Sequence, residues 1–161
     1  HTVNTELTNH ILNISKKVDQ CTKDFDDNIF IFNKYFSEFS QKLYNQKYLI
    51  SFSDDYKDIL PENIDFNVWW WEKKAYIWLF DLAYISYVDE KKWNYPKFVL
   101  HDSTEDTNSL SLENLFKIAN TINGQYIVSL LEDKIKTIGK DKLKWDIILS
   151  LNNSNKFFNI D

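Results

Sequence analysis

The sequence has no arginine and no methionine, only one cysteine, two glycines and two prolines. Cys21 alone cannot form an intramolecular disulfide, and its neighbours suggest no metal site. No run approaches the ~18 apolar residues of a membrane span, and the amino terminus is unlike a signal peptide. The net charge of −5 gives no general reason to expect nucleic-acid binding. We attribute the lysine-only basic residues to coding bias, and the missing methionine predicts that His1 marks a fragment or a processed product.

A phosphate-binding loop is also missing, because no Gly-x-x-x-x-Gly-Lys-Ser/Thr segment occurs and the only glycines are Gly124 and Gly139. Without that loop the chain cannot cradle a triphosphate by itself. Aromatic residues, by contrast, make up 17% of the chain. A length of 161 residues is typical of one domain, or of one domain with an appendage, and the aromatic content allows a sizeable core.

The first 45 residues predict a long helix with a sparse apolar stripe. Its members recur every three or four residues: Val3, Leu7, Ile11, Ile14, Val18 and Cys21. So narrow a stripe is typical of a coiled-coil seam, although an ordinary amphipathic helix has a related pattern. From Phe25 the stripe widens, as if the helix entered a folded domain. We therefore expect the end of a coiled-coil helix over 1–27 and a folded lobe over 28–161.

The rest of the chain alternates between predicted strands and helices. Residues 48–52 predict a strand, 54–61 a polar loop or short helix, 63–68 a weak strand, 73–88 a buried apolar helix, and 110–123 and 132–138 two further helices. Residues 125–130 and 145–151 predict strands, and 157–160 a closing edge.

The segment 97–103 organises the fold, because an apolar run typical of a buried strand ends abruptly in Asp102. Strand, helix and strand over 98–130 predict a βαβ unit with parallel strands. Open α/β sheets bind ligands at the carboxyl ends of their strands, where Asp102 would lie. Asp102 could instead merely cap the next helix or turn. An acid–base pair of His101 and Asp102 in an unrelated small enzyme is disfavoured, because adjacent strand residues point to opposite faces.

The order of elements resembles the C-terminal lobe of an SMC-like ABC-type ATPase head, as in RecN-type repair proteins and phage-defence ATPases. The resemblance rests on a helix leaving a coiled coil, Glu-Lys-Lys opening a buried helix, Phe-Val-Leu-His-Asp-Ser over 98–103, and Gln-Tyr-Ile-Val-Ser over 125–129. It is closest to a bacterial branch with His-Asp-Ser in its Walker B segment, and it covers residues 28–161. It implies an α/β fold, namely an ABC-ATPase-like C-terminal lobe with parallel strands, preceded by a coiled-coil helix.

The resemblance assigns a role to several polar residues. Asp102 matches the Walker B acid, which would hold Mg²⁺ through a bound water while the ion bridges the phosphates. Ser103 stands where most relatives carry the glutamate that polarises water, and Glu105 or Asp106, in the matching D-loop, could substitute for it. Gln125, at the start of the following strand, is expected to contact the nucleotide. The alternative for Glu105 and Asp106 is a pair of solvated loop carboxylates.

The expected signature motif departs most from the family. Trp69, Trp70 and Trp71, followed by Glu72 and Lys73, stand where the family carries a Ser-Gly-Gly-Glu-like segment that contacts nucleotide. Three indoles would block the close approach of a phosphate that glycines allow. Either this site has lost nucleotide binding, or the indoles form a patch for a partner, or they belong to the core.

The resemblance also implies a function and partners. It implies ATP and Mg²⁺ as ligands, an N-terminal Walker A lobe, a homodimer through the ATPase heads, and action on DNA with accessory repair or defence subunits in the cytoplasm, away from membranes. The chain alone would be half an active site and would not hydrolyse ATP. The alternative is a non-catalytic interaction or dimerisation module whose nucleotide site has decayed.

Overall fold

The computed structural model describes residues 2–53, 57–63, 73–102, 109–138 and 146–152. Its helices are α1 (Thr2–Tyr44), α2 (Lys73–Glu90), α3 (Ser109–Ala119) and α4 (Glu132–Ile138). Its strands are β1 (Tyr48–Phe52), β2 (Ile59–Asn63), β3 (Phe98–His101) and β4 (Gln125–Val128). The strands form one antiparallel pair and one parallel pair, so a mixed α/β fold is confirmed.

The long helix α1 has 43 residues and therefore spans about 64 Å. Residues 5–24 are all exposed, and burial begins at Phe25, where the apolar stripe widens. Towards its carboxyl end Phe36, Phe39 and Leu43 are buried. The predicted helix is thus confirmed, and only its second half packs against the other elements.

The core lies between the second half of α1, the helices α2 and α3, and strand β1. Its buried side chains are Phe36, Phe39, Leu43, Tyr48, Ile50, Trp78, Leu79, Leu82, Ala83, Leu112, Leu115, Phe116, Ile118 and Ile138. The predicted burial of α2 is confirmed for most of its length, while Ile77 and Phe80 remain partly exposed beside a groove. Burial of this much apolar surface is the main favourable contribution to folding.

Strand β1 returns along α1 and is held by side chains of that helix. The Asn33 amide donates to the carbonyl of Ile50 at 2.8 Å and accepts from the Ile50 N–H at 2.7 Å. The buried Ser40 hydroxyl accepts from the N–H of Tyr48 at 2.9 Å. Because these polar groups are paired, the edge of β1 that faces α1 is buried without unsatisfied donors at these positions.

The second strand was predicted wrongly, because Ile59–Asn63 pairs antiparallel with β1 where a polar loop or short helix was expected. A strand is unexpected here, since proline usually excludes one and Pro61 lies in its middle. In the structure Pro61 faces Ile50, whose N–H and carbonyl both bond to Asn33. Its missing N–H therefore costs no hydrogen bond in this sheet. Of the strand predicted over 63–68, Asn63 is the last residue of β2, and residues 64–68 lie outside the described residues.

Strands β3 and β4 are parallel, with Phe98 opposite Gln125 and His101 opposite Val128, as the βαβ pattern predicted. The crossover helix α3 and helix α4 are likewise confirmed. Gly124 directly precedes β4 at a point of close approach, because an added Cβ would lie 2.6 Å from the carbonyl oxygen of Lys97 and collide with Ile85. Glycine here lets β4 reach both β3 and α2.

Two strand predictions need correction. Strand β3 is not fully buried, since Phe98 is 53% and Leu100 70% exposed. A short apolar run predicts burial but does not specify how many faces of the strand are covered. The described part of the predicted last strand, residues 146–151, forms no strand, and an isolated bridge follows at Asn152. Residue 145 and the predicted edge at 157–160 lie outside the described residues.

Candidate functional site

The candidate site lies at the carboxyl end of the parallel pair. Asp102 directly follows the last residue of β3 and is exposed. Beside it, the carbonyl of His101 accepts the N–H of Ser129, the first residue after β4, at 2.8 Å. Both strands therefore end at the same edge, where parallel sheets bind ligands. This is the position predicted for Asp102.

His101 turns its side chain to the other side, towards the helices. Its Nε2 atom lies against Oδ2 of Asp81 on α2, a contact that is an ion pair when the imidazole is protonated, and the two side chains are only 13% and 22% exposed. The ring lies edge-on to Trp78 at 6.4 Å and tilted to Tyr126 at 5.5 Å between ring centroids. Because His101 is held by Asp81, the geometry does not favour an acid–base pair of His101 and Asp102.

Burial dominates the electrostatics of this inner cluster, defined here as Asp81, His101 and Tyr126. Burial raises the pKa of the Asp81 carboxyl, and the neighbouring His101 only partly offsets the rise. Burial, with the carboxylate of Asp81 and the phenol of Tyr44, raises the pKa of Tyr126. The Tyr126 hydroxyl is buried without a hydrogen-bond partner among the described residues. The phenol therefore stays protonated, and the cluster is better suited to holding structure than to chemistry with solvent.

The importance of Asp81 was missed at the sequence level, although a signal exists. It is the only charged residue between Tyr76 and Val88, inside an otherwise apolar helix. A lone carboxylate on a buried helix needs a partner, because an unpaired buried charge is costly. That rule predicts a partner but does not identify His101, which is brought close only by the packing of α2 on β3.

The other predicted site residues are not gathered at Asp102. Gln125 begins β4 opposite Phe98, so it lies at the amino end of the pair, about 13 Å of strand away from the Asp102 end. Lys73 begins α2, but its side chain is not described. The remaining predicted residues lie outside the described ranges: Trp69, Trp70, Trp71, Glu72, Ser103, Glu105 and Asp106. Their predicted roles stay predictions.

A metal would meet few protein ligands here. Within the described ranges, no group of three or more His, Cys, Asp or Glu side chains is placed to hold a metal ion. Mg²⁺ nevertheless keeps several waters and is commonly held by one or two carboxylates together with substrate phosphates. The exposed carboxylate of Asp102 fits that kind of contact and does not fit an all-protein metal cage.

Comparison with protein families finds a match for most of the chain. Residues 39–161, from the end of α1 to the last residue, match a family described as an uncharacterised protein conserved in bacteria, DUF2326. The chain belongs to the DUF2326 family. The family description names no activity, ligand or partner. No curated protein and no solved structure matches the chain.

The matched DUF2326 region contains the parallel pair, and alternate residues of its strand β3 are exposed. Phe98 and Leu100 on β3 are more than half exposed, and so are Ile147, Ile148, Leu149 and Leu151 in the segment 146–152. Parallel sheets are normally covered on both faces. Exposed apolar side chains of this size are typical of surfaces that meet another protein element.

A second apolar surface of the DUF2326 chain is a groove between α1, α2 and the antiparallel sheet. A cavity of about 220 Å³ is lined by Phe36, Ile50, Ile59, Tyr76, Ile77 and Phe80. An adjoining cavity of about 160 Å³ extends it along α1 past Phe32 and Asn28. Apart from Asn28, the described residues that line the two cavities are apolar or aromatic. Among the described residues, no helix combines the length and the apolar character needed to cross a bilayer.

Proposed function

We propose that this DUF2326 chain is the C-terminal half of an SMC-like, ABC-type ATPase head. One observation carries the proposal: Asp102 follows the carboxyl end of β3 in a parallel β3–α3–β4 unit. That is where a Walker B acid belongs in such a head. In this function the chain supplies the Walker B acid and the signature region to ATP-dependent engagement of two heads in the cytoplasm.

Asp102 would hold nucleotide-bound Mg²⁺ through a water molecule. When bound, the ion neutralises charge that develops on the transferred phosphoryl group. The chain's own contribution is to place an exposed carboxylate at a fixed strand end. Because the sequence has no phosphate-binding loop, the triphosphate would be cradled by an N-terminal Walker A lobe, and this chain alone would not hydrolyse ATP.

The exposed apolar surfaces support the proposal that another lobe packs against this chain. A two-stranded sheet is marginal by itself, and a larger sheet with a layer packed on this face would cover Phe98 and Leu100, as is normal for parallel sheets. The exposed half of α1 supports a coiled coil. Its exposed residues Leu7, Ile11, Ile14 and Val18 follow the alternating spacing of four and three residues of a heptad seam. Head engagement would move this coiled coil and act on DNA together with repair or defence subunits.

A second candidate is a non-catalytic interaction or dimerisation module. It is favoured by the same exposed apolar residues, which suffice for partner binding without nucleotide. It is also favoured by Ser103, which has no basicity at neutral pH and stands where most SMC-like ATPases would carry glutamate. The two candidates differ in whether Asp102 matters for turnover.

The deciding experiment measures ATP hydrolysis by the full-length protein carrying Asp102→Ala. Loss of the positioned carboxylate is expected to lower turnover about 100-fold or more, because electrostatic stabilisation of the phosphoryl group is lost. Asp19→Ala, a change on the exposed half of α1, is the matched control and should leave turnover unchanged. Unchanged turnover in a folded Asp102→Ala variant contradicts the ATPase. A wild-type protein without turnover favours the interaction module.

A further inference from the structure

Helix α2 and strand β3 are joined at both ends by carboxylates of the helix. Near the carboxyl end of α2, Asp89 binds Lys97 Nζ at 2.6 Å, just before β3 begins. Two turns earlier, Asp81 binds Nε2 of His101, the last residue of β3. Each ion pair therefore fixes one end of the same strand to the same helix.

The spacing of the two ion pairs matches between the elements. Eight residues separate Asp81 from Asp89, which is about 12 Å of helix. Four residues separate Lys97 from His101, which is about 13 Å of strand. Because these lengths agree, an antiparallel helix and strand can form both contacts at once without distortion.

The contact between Asp81 and His101 at the carboxyl end of β3 also involves strand β4. The His101 ring packs against Trp78 of α2 and Tyr126 of β4, and its carbonyl accepts the N–H of Ser129. Asp102 is the next residue, and its exposed side chain has no described contact that would fix it. Its position therefore follows from the backbone that His101 anchors.

We propose that Asp81 and His101 are positioning residues, which lock the carboxyl end of β3 and thereby hold Asp102 in place. The consequence for magnesium rests on the proposed function, whereas the locking of the strand end does not. His101 acts in this role through packing and through its pairing with Asp81, and the side chain itself stays turned away from the exposed edge.

Site-resolved hydrogen exchange on the full-length protein tests the lock directly. Two equivalent amides report on the two ends, since Ser129 N–H bonds to His101 and Gln125 N–H bonds to Lys97, each at 2.8 Å. Asp81→Ala is expected to accelerate Ser129 exchange about tenfold, and Gln125 exchange less than about twofold. Asp89→Ala is the matched control on the same helix and should show the reverse order. Equal acceleration of both amides by both variants overturns the proposal.

The magnesium dependence of ATP hydrolysis tests the consequence for Asp102. Asp81→Ala is expected to raise the half-saturating Mg²⁺ concentration about tenfold, as is usual when support of a metal-binding group is lost. Asp81→Asn keeps an acceptor for His101 and should restore most of the affinity, and Asp89→Ala should leave it unchanged. Equal shifts for Asp81→Ala and Asp89→Ala overturn the positioning role. Absence of ATPase in wild type overturns the proposed function instead, and the exchange pattern alone then decides whether the lock exists.

Discussion

Two parts of the molecule repeat one local plan with different chemistry. In the first, α1 ends, Asn45 adopts a positive φ of 55°, and β1 returns along the helix. In the second, α2 ends, Lys92 adopts a φ of 54°, and β3 returns along its helix. We call these the first and the second helix–strand units. In each, side chains of the helix hold the returning strand at two points.

The difference lies in the charge of those side chains. The first unit uses the neutral groups of Asn33 and Ser40, which bond directly to the backbone of β1. The second unit uses the carboxylates Asp81 and Asp89, which pair with side chains at the two ends of β3. Neutral hydrogen bonds do not titrate, whereas ion pairs depend on pH and salt. The unit that carries the candidate site is therefore the one that responds to solution conditions.

The largest effect is expected from Asn33→Ala in the first unit. The change leaves both the N–H and the carbonyl of Ile50 unpaired at a buried residue, which costs about 2–4 kcal/mol of unfolding free energy. The loss should be the same at pH 7 and pH 4, because no titratable group takes part. Urea denaturation at both values measures it. Asn13→Ala, on the exposed half of α1, is the control and should stay within about 0.5 kcal/mol of wild type.

A smaller, pH-dependent effect is expected in the second unit. Hydrogen bonds from Lys97 and Asn123 lower the pKa of Asp89 below its ordinary 3.8, and those from Lys34 and Tyr35 lower the pKa of Glu90 below 4.5. As pH falls, the unfolded chain binds these protons first. The stability that these groups supply is therefore complete above the ordinary values and is lost as pH falls through the lowered ones.

Denaturation midpoints measured from pH 7 to pH 3 check this prediction. Wild type should lose stability below about pH 4.5, and Asp89→Asn should lose less over the same range. Added salt should weaken the difference, because both carboxylates lie near the surface. Asp81 acts in the opposite direction, since burial raises its pKa and protonation in acid relieves that cost. A midpoint that is flat down to pH 3 would contradict the charged anchoring of this unit.

The sequence predicted the structure correctly where the local residue pattern matches the arrangement of the element in the folded protein. The parallel pair and the place of Asp102 were predictable, because an apolar strand, a helix and a second apolar strand allow few topologies. Strand β2 was not predictable, because Pro61 is tolerated in it only when Asn33 already forms the backbone hydrogen bonds of Ile50, the residue that faces Pro61. That relation exists only once α1 and β1 have packed.

The same limit applies to the candidate site. Asp81 and His101 are 20 positions apart, one on a helix and one on a strand, so no spacing rule connects them. The bare face of β3 was missed for a related reason. A run of Phe, Val and Leu is equally compatible with one covered face and with two. What covers a strand is a property of its neighbours and not of its own residues.

The smallest effect is expected at the two helix ends, where Lys92→Gly is compared with Asn45→Gly. A left-handed conformation costs a residue with a Cβ about 1–2 kcal/mol, and asparagine tolerates it better than lysine. Lys92 is 80% exposed and lies 4.0 Å from Asp89, so its charge contributes little there. Glycine also increases the conformational entropy of the unfolded chain, which offsets part of the stabilisation obtained by relieving the strain. Lys92→Gly should therefore stabilise the protein by about 0.5–1 kcal/mol.

Asn45→Gly should be neutral or slightly destabilising. Asparagine carries less strain at this position, and its Oδ1 accepts a hydrogen bond from Gln41 Nε2 at 2.8 Å, which glycine would remove. Thermal melting separates the two variants, since 1 kcal/mol shifts the midpoint by about 2–4 °C in a protein of this size. A rise for Lys92→Gly alone places relievable strain at the turn between α2 and β3. Equal rises for both variants would mean that the two helix–strand units do not differ at their turns, and that the contrast between them is confined to the side chains that hold each strand.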